Sequence, residues 1–253
     1  MLSKKIVMLI FVLSTAMSLN AAIILDQDFE DSSVFVLGQP FQKAGVGNGT
    51  SLDGIWSNAV VNGDHSPKIA AINSSFSTGS QAVLIQRDAT YGSGNLLGAR
   101  TNVSATGQFE AEFSFIVPST TSQFSISLAN STGGGLNQVG IAYYSGALKV
   151  RDNGAWKDRT SGVSANSWFK ISITGDISTG IYNTYVNFGT WGGNLGSASF
   201  NNTQLSSIAG IYVAPWVAGE TFYIDDVKLT AIPEPATIVV MSLGLLINIV
   251  RRK

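Results

Sequence analysis

The chain of 253 residues contains no cysteine, a single histidine and few charged residues. Without cysteine it can form no disulfide framework, and thiol catalysis and cysteine-based zinc sites are excluded. The histidine, His65, lies in a polar stretch over residues 62–67, and no Ser-His-Asp order or glycine-rich phosphate motif accompanies it. Charged residues make up only 12% of the chain while glycine is abundant, which is typical of many short strands joined by tight turns.

The first 22 residues have the pattern of a secretory signal peptide. Lys4 and Lys5 form a basic start, an apolar run follows over residues 6–13, and small residues continue to Ala22. This order of basic, apolar and small residues is typical of a segment that is removed after export. We therefore expect a helical signal peptide over residues 1–22 and an exported protein.

A second apolar segment, residues 236–250, lies near the C-terminus and is followed by three cations. Fifteen helical residues span roughly 22 Å, less than the ~30 Å hydrocarbon core of a bilayer. Snorkelling of the terminal arginines compensates for this difference, so we expect a short transmembrane helix with a cytoplasmic end. Pro233 and Pro235 stop any helix upstream and keep that backbone extended.

This C-terminal order resembles the PEP-CTERM sorting signal of Gram-negative bacteria, in which a Pro-Glu-Pro motif precedes a transmembrane helix and an arginine-rich end. The matching residues are Pro233, Glu234, Pro235, Arg251 and Arg252. The resemblance implies that residues 232–253 are a sorting signal whose helix is removed by an exosortase, a membrane transpeptidase-like enzyme. It also implies an inner-membrane-anchored precursor and a processed protein in the cell envelope or outside the cell. The alternative is an ordinary membrane anchor.

Residues 23–231 lie between the two ends and are numerous enough for one large domain. With the five terminal Lys and Arg residues and Glu234 set aside, ten basic and fifteen acidic residues are left, a net charge near −5. A nucleic-acid-binding protein needs a basic face, so this balance argues against a nucleic-acid partner. Without disulfides the domain has to rely on its apolar core, which this length permits.

Apolar and polar residues alternate along most of this domain, and no long segment has a helical period. The clearest run begins at Gln108, places phenylalanines on one side, and ends at Pro118. Further strands are predicted at residues 124–128, 139–143, 148–150, 169–173, 182–188, 208–213 and 222–229. Alternation over ten or more strands predicts an all-β fold, an antiparallel two-sheet sandwich of jelly-roll type.

Glycine-containing pairs mark the turns between these runs. Ser145-Gly146 and Asn153-Gly154 lie at hairpin positions, which predicts a three-strand meander over residues 139–157. Residues 133–135, Gly175-Asp176 and Gly192-Gly193 indicate further loops, and residues 38–80 indicate long loops with short strands.

Four segments resemble the concanavalin A-like, laminin G-type jelly rolls: residues 109–115, 140–150, 168–173 and 223–229. Jelly-roll carbohydrate-binding modules have similar first and last strands. The resemblance implies a jelly-roll body over residues 23–231, with a carbohydrate as the ligand to consider first.

Acidic residues crowd the two ends of this body, at Asp26 to Asp31 and at Asp225-Asp226. The first and last strands of a jelly roll usually pair, so these carboxylates would be neighbours and repel each other unless solvated or bridged. The carbohydrate-binding modules that the chain resembles often hold a structural Ca²⁺ there. The resemblance places its ligands at Glu30 and at Asp225 or Asp226. The alternative is a solvated acidic edge that prevents strand addition.

Glu110 and Glu112 lie two apart on one predicted strand. They resemble the catalytic strands of concanavalin A-like glucanases, which carry three acids at alternate positions. Here Gln108 and Ser114 occupy the flanking positions, so one carboxylate is missing in either register. A retaining glycosidase needs both a nucleophile and an acid. We therefore expect these glutamates to be solvent-facing and keep them only as weak catalytic candidates.

Tryptophans are the remaining indication of a ligand. Trp156 and Trp191 have polar or glycine neighbours and are expected in loops, where an indole can stack on a sugar ring. Trp168 is expected in the core or at the start of a strand.

Taken together, these patterns predict an exported, exosortase-sorted β-sandwich protein of the envelope or extracellular matrix that is not an enzyme and binds carbohydrate. The alternatives are a diverged glycoside hydrolase and a purely structural surface protein. The predicted partners are an exosortase, a polysaccharide, and the membrane before processing.

Overall fold

A computed structural model describes residues 21–32, 37, 56–58, 68–71, 79–86, 97–129, 139–188, 192–200, 205–217 and 219–232. The proposed sorting signal from Pro233 onward, residues 1–20, His65 and Trp191 lie outside these ranges, so the predictions made for them stay predictions. No helix within the described ranges is long and apolar enough to cross a membrane.

All regular structure in the described residues is β. The strands in chain order are β1 (Ala22–Gln27), β2 (Trp56–Asn58), β3 (Lys68–Ala71), β4 (Gln81–Gln86), β5 (Leu97–Ala105), β6 (Gln108–Ile116), β7 (Gln123–Ala129), β8 (Val139–Tyr144), β9 (Ala147–Asp152), β10 (Ala155–Thr160), β11 (Trp168–Asp176), β12 (Ile181–Asn187), β13 (Gly192–Ser199), β14 (Ile208–Pro215) and β15 (Thr221–Ile232).

These strands form two antiparallel sheets. The first has the order β13-β12-β11-β6-β15-β4-β3, with β1 also paired to β15, and the second has the order β10-β9-β8-β7-β14-β5-β2. The predicted all-β, two-sheet antiparallel sandwich is therefore confirmed. The arrangement is consistent with a jelly roll, because strands distant in sequence lie side by side in both sheets.

Aromatic rings fill the space between the two sheets. Phe115 of β6 and Phe222 of β15 belong to the first sheet, and both rings contact Phe124 of β7 in the second. The Phe124 ring stacks on Phe222 at 4.3 Å and meets Phe115 edge-on at 4.9 Å. All three side chains are fully buried. These contacts are the geometry that aromatic pairs prefer, so they fix the sheets against each other.

The predicted three-strand meander is confirmed as β8-β9-β10. Ser145 and Gly146 join the first two strands with φ values of 49° and 81°, and Asn153 and Gly154 join the next two with 46° and 83°. Two consecutive positive φ values define a type I′ turn, whose twist matches that of the flanking strands.

Strand β15 changes partner along its length. Its first residues, Thr221 to Ile224, pair with β4, and its later residues, Val227 to Ala231, pair with β1. The expected pairing of the first and last strands is thus confirmed. A β-bulge interrupts the pairing of β15 with β6 between Asp225 and Lys228, at the point where one partner gives way to the other.

Two predicted loops are wrong because their glycines lie in strands. Gly192-Gly193 begins β13, where a Cβ on Gly192 would lie only 3.2 Å from the carbonyl oxygen of Val186. Gly175-Asp176 belongs to β11, where a Cβ on Gly175 would lie 2.6 Å from the Phe109 ring. In both places glycine allows close approach of a neighbouring strand or core ring, rather than forming a turn.

Candidate functional site

Three aromatic side chains cover the outer face of the second sheet, the face turned away from the core. They are Tyr144 at the end of β8, Trp156 of β10 and Trp216 immediately after β14, and we call them the aromatic platform. The ring centroids of Trp156 and Trp216 lie 5.5 Å apart, and those of Tyr144 and Trp216 lie 6.0 Å apart. The three rings therefore form one continuous surface.

Trp216 is positioned by hydrogen bonds to β7. Its backbone N–H donates to the carbonyl of Gln123 at 2.8 Å, and its indole N–H donates to Ser125 Oγ at 3.0 Å. Ser125 alternates with the core residues Phe124 and Ile126, so its hydroxyl belongs to the outer face. The indole is thus held against the sheet with its polar atom satisfied.

Small side chains beneath the platform allow the indoles to lie close to the sheet. Gly140 and Ala142 of β8 are buried although they alternate with the inward-facing Ile141. A Cβ on Gly140 would lie 3.4 Å from the Trp156 ring and 2.9 Å from the carbonyl oxygen of Ile126. Any larger residue at this position would therefore displace the platform.

A buried tyrosine supports the same strands from inside the core. Tyr182 of β12 belongs to the first sheet, yet its hydroxyl donates to the backbone carbonyls of Arg151 in β9 and Gly140 in β8. Burial raises the pKa of this phenol well above its usual range, so it remains a donor at every physiological pH. The two strands beneath Trp156 are therefore tied to the opposite sheet.

Two cations of β9 lie over the aromatic rings. Lys149 Nζ lies 4.8 Å from the centroid of the Tyr144 ring and 2.7 Å from Asp158 Oδ1. The Arg151 guanidinium lies 5.1 Å from the centroid of the Trp156 ring. Arg151 and Trp156 are direct neighbours across the β9–β10 pair, so this contact follows from the strand register.

A cleft of about 570 Å³ lies at the Tyr144 end of the platform. It is lined by Pro118, Ser119, Thr121, Ser122, Gln123, Val217, Gly219, Glu220 and Thr221. Gln123 is paired with Tyr144 in the sheet, and Val217 follows Trp216, so the cleft and the platform are adjacent. The platform therefore continues into a groove that is rich in hydroxyl, amide and carboxylate groups.

The platform can stack on the apolar face of a ring, while the nearby polar groups can bind hydroxyls. Of the predicted ligand-binding tryptophans, Trp156 lies here, although in a strand and not in the expected loop. Trp168 is buried in the core, as expected. Sequence reasoning missed Tyr144 and Trp216, although the first is the outward neighbour of core residue Tyr143 and the second extends the outward alternation of β14.

A cluster of acidic residues, separate from the platform, lies at the bulge in β15. Asp226 adopts a φ of 49°, and its N–H donates to Asp225 Oδ1 at 2.8 Å. Ser114 Oγ of β6 donates to Asp226 Oδ2 at 3.2 Å. The Asp225 side chain is fully buried, and its Oδ2 has no hydrogen-bond partner among the described residues. The bulge therefore places one carboxylate oxygen in the interior without a donor.

Glu30, which follows β1, closes the other side of this cluster. Its Oε1 accepts hydrogen bonds from the N–H groups of Ser80 and Gln81, at 2.8 and 2.7 Å, at the start of β4. A Cβ on Gly79 would lie 1.9 Å from Glu30 Oε1, so a larger residue there would displace the Glu30 carboxylate from this position. Gln81 Oε1 is buried and is a second acceptor without a described donor.

Burial is the main cause that raises the pKa of Asp225 to about 8. The hydrogen bond from the Asp226 N–H opposes this rise, and the charges of Asp226, Glu30 and Asp28 add to it. The carboxyl consequently holds its proton at neutral pH when nothing else is bound. The described residues contain no group of three or more His, Cys, Asp or Glu side chains arranged to hold a metal ion. The structure brings Glu30, Asp225 and Asp226 to one junction, and the metal assigned to them stays a prediction.

Glu110 and Glu112 lie on the outer face of the first sheet, on the opposite side of the sandwich from the platform. Glu112 forms an ion pair with Lys170 at 3.2 Å and accepts a hydrogen bond from Ser172 Oγ at 3.1 Å. Glu110 has Thr174 opposite it on the neighbouring strand. The partners of Glu112 are those of a surface ion pair.

The sequence matches no protein-family model and none of the curated proteins. Among solved structures, the globular domain of T. cruzi calreticulin has a TM-score of 0.53 and 8% identity, over 87% of this chain and 93% of that chain. A sialidase has a TM-score of 0.52 and 9% identity, over 83% of this chain but 19% of the sialidase chain. Peanut lectin, at 9% identity over 70% of this chain and 96% of its own, has a TM-score of 0.44.

At these identities the likeness to the first two structures shows the fold alone. The protein is an antiparallel two-sheet β-sandwich, and its activity has to be argued from its own site.

The buried Asp225 predicts a specific pH dependence of stability in metal-free solution. Its pKa is about 8 in the folded protein and 3.8 ordinarily, so the folded state binds the extra proton between these values. Stability should therefore fall as pH rises from about 4 to 8, by at most about 1.4 kcal/mol per pH unit, and should level off above 8. Urea unfolding in EGTA at several pH values measures this.

Asp225→Asn is the matched variant because it resembles the protonated acid in shape. It should lack this component of the pH dependence and should be more stable than the natural protein at pH 9. A difference in unfolding free energy between the two proteins that stays constant from pH 5 to 9 would contradict the assignment.

Proposed function

We propose that this protein is a non-catalytic carbohydrate-binding protein that is exported to the cell envelope or the extracellular matrix. The observation that carries the proposal is the aromatic platform of Tyr144, Trp156 and Trp216 on the outer face of the second sheet. Tyr144 is exposed and both indoles are partly exposed. A continuous aromatic surface with polar groups at its margin is typical of a binding site.

The platform suits a polysaccharide chain better than a single compact ligand. Its rings line up across several strands and continue into the cleft beside Gln123 and Glu220. Successive sugar rings could stack on the indoles while their hydroxyls bind Lys149, Asp158 and the groups of the cleft. Trp216 and the strands beneath Trp156 are held by hydrogen bonds within the protein, so little ordering is needed on binding.

The alternative of a diverged glycoside hydrolase rests on Glu110 and Glu112. These residues lie on the opposite outer face from the platform, and Glu112 is engaged by Lys170 and Ser172. The neighbouring outward positions carry Gln108 and Ser114 instead of a third acid. These features support a non-catalytic role, whereas a purely structural surface protein would have no use for an ordered platform.

Trp156→Ala should weaken binding to a polysaccharide at least about tenfold, or ~1.4 kcal/mol, because it removes one of the two indoles of the platform. The matched control is Tyr185→Ala, which removes an aromatic ring that is 47% exposed on the outer face of the first sheet. Tyr185→Ala should leave binding unchanged. A glycan array followed by calorimetry on the best polysaccharide measures both effects.

Equal binding by Trp156→Ala and the natural protein would show that the platform is not the site. Release of reducing sugar that disappears in Glu112→Gln would establish the hydrolase instead.

We further propose that the acidic cluster holds a structural Ca²⁺. Two buried oxygen acceptors without described donors, Asp225 Oδ2 and Gln81 Oε1, support this proposal, although the described residues hold no ready-made group of three acidic ligands. Ca²⁺ binds carboxylate, amide and carbonyl oxygens, and six to eight of them complete its coordination. Asp225, Glu30 and Asp226 would hold it together with backbone carbonyls. A bound cation would replace the proton of Asp225. It would also offset the repulsion among the carboxylates of the cluster, which are Asp28, Glu30, Asp225 and Asp226.

Calcium at about a hundred times its dissociation constant should stabilise the protein by roughly 2.7 kcal/mol, which raises Tm by about 5–10 °C. Melting curves in Ca²⁺ and in EGTA measure this shift. Asp225→Asn should lose most of it, whereas Glu110→Gln, on the outer face of the same sheet, should keep it. A Tm that is the same in Ca²⁺ and EGTA would leave a protonated Asp225 as the explanation of the cluster.

The sequence of the two ends supports the proposed route to the cell surface. Residues 1–22 have the order of a signal peptide, and residues 232–253 have the Pro-Glu-Pro motif, apolar run and arginines of a sorting signal. An exosortase is the proposed processing enzyme, with the membrane as the partner of the precursor.

Deletion of residues 232–253 should leave the protein missorted, and Glu234→Ala should accumulate the unprocessed precursor because the recognition motif is lost. Fractionation with immunoblotting measures location and size. Glu220→Ala serves as a control outside the motif. Unchanged size and location in the deleted protein would refute the sorting signal.

A further inference from the structure

Arg151 lies against the aromatic platform, and stacking of a neutral sugar on the rings would give its positive charge no role in binding. Its guanidinium lies over the Trp156 ring at 5.1 Å, within the platform and not beside it. Lys149, two residues earlier on the same strand, forms an ion pair with Asp158, in which Nζ lies 2.7 Å from Oδ1. No carboxylate of the described residues forms an ion pair with Arg151, so its charge is available to a ligand.

The environment of Arg151 differs from that of the neighbouring arginine. Arg159 of β10 has Asp152 at 3.6 Å and donates to the carbonyl of Ser197. Arg151 has the Trp156 face and no such ion-pair partner among the described residues, whereas a buried Nε without a described acceptor is common to both arginines. The two arginines therefore differ in their described ion pairs, since Arg159 has a carboxylate beside it and Arg151 has none.

Arginine on an aromatic ring is preorganised for a planar anion. Contact with the indole restricts the guanidinium, and its fork of N–H groups matches the two oxygens of a carboxylate. A sugar that carries a carboxylate on its ring can therefore stack on the indoles and bind Arg151 at the same time. The domain as a whole has a net charge near −5. Arg151 makes the aromatic surface locally positive against this background, which favours an acidic ligand there.

We propose that the ligand is an acidic polysaccharide containing uronic acid residues, whose carboxylate binds Arg151 while the sugar ring stacks on Trp156. This inference rests on the proposed function and adds the charge of the ligand to it. The described charged groups near Arg151 are paired with each other: Lys149 with Asp158, and Asp152 with Arg159. Glu220 lines the cleft at the Tyr144 end of the platform.

Polygalacturonate and its fully methyl-esterified form are the matched probes, because they share a sugar backbone and differ only in the charge of the carboxyl group. The full-length natural protein should bind polygalacturonate at least about tenfold more tightly than the ester, and the difference should shrink as salt is raised. Dextran sulfate is the third probe and tests whether any polyanion is sufficient. Calorimetry at low and high salt measures all three.

Arg151→Gln should weaken binding to polygalacturonate about ten- to a hundredfold and leave binding to the ester within twofold. Arg151→Lys keeps the charge but loses the fork, so it should recover only part of the affinity. Lys170→Gln is the control, since this cation is paired with Glu112 on the outer face of the first sheet, and it should leave the affinity within about twofold. An unchanged Tm in each variant shows that folding is intact.

The outcomes separate the inference from the proposed function. Equal binding of the acid and the ester, or an unchanged affinity of Arg151→Gln, would overturn the inference. The proposed function would still stand if binding to polysaccharide depended on Trp156. Tighter binding of dextran sulfate than of polygalacturonate would overturn the uronate assignment. Absence of binding to any polysaccharide would overturn both.

Discussion

Successive side chains along each strand face opposite sides of the sheet. The residues that build the core therefore determine which of their neighbours lie on the proposed binding face. Phe124 packs between the sheets against Phe115 and Phe222, while the next residue, Ser125, faces outward and accepts the indole N–H of Trp216. A slip of one residue would exchange the two faces of the strand. The packing of the core therefore fixes where the aromatic platform lies, and the platform needs no separate scaffold of its own.

The first sheet meets a different constraint, because its central strand β15 is longer than either partner on one side. It pairs first with β4 and then with β1, and the bulge at Asp225 lies at the change of partner. Glu30 closes the junction by accepting the first N–H groups of β4. The result is a buried carboxyl beside three other acids, which is stable only with a proton or a cation in place. This cluster and the platform lie on different sheets, so folding and ligand binding can be altered separately.

Local patterns were sufficient to predict most of the fold. The alternation around Phe109 and the Ser145-Gly146 and Asn153-Gly154 turns involve only neighbouring residues, and the structure confirms them. The pair Gly192-Gly193 misled because glycine serves close packing in a strand as well as a turn. Most of the platform was beyond prediction, since it needs the registers that bring β10, β8 and β14 together. Likewise, the acidic residues of the first and last strands indicated where carboxylates meet. Gln81 could not be predicted as part of this cluster, because it carries no charge and only the fold shows that its side-chain oxygen is buried there.

Binding of polysaccharide at the aromatic platform is tested most directly by the indole N–H signals of the tryptophans in a nuclear magnetic resonance titration with an oligosaccharide. Trp156 and Trp216 lie on the platform, whereas Trp168 is buried in the core and serves as an internal control. The account predicts that the Trp156 and Trp216 signals shift together and saturate while the Trp168 signal does not move. Unmoved platform signals, or shifts confined to the outer face of the first sheet around Glu112, would contradict it.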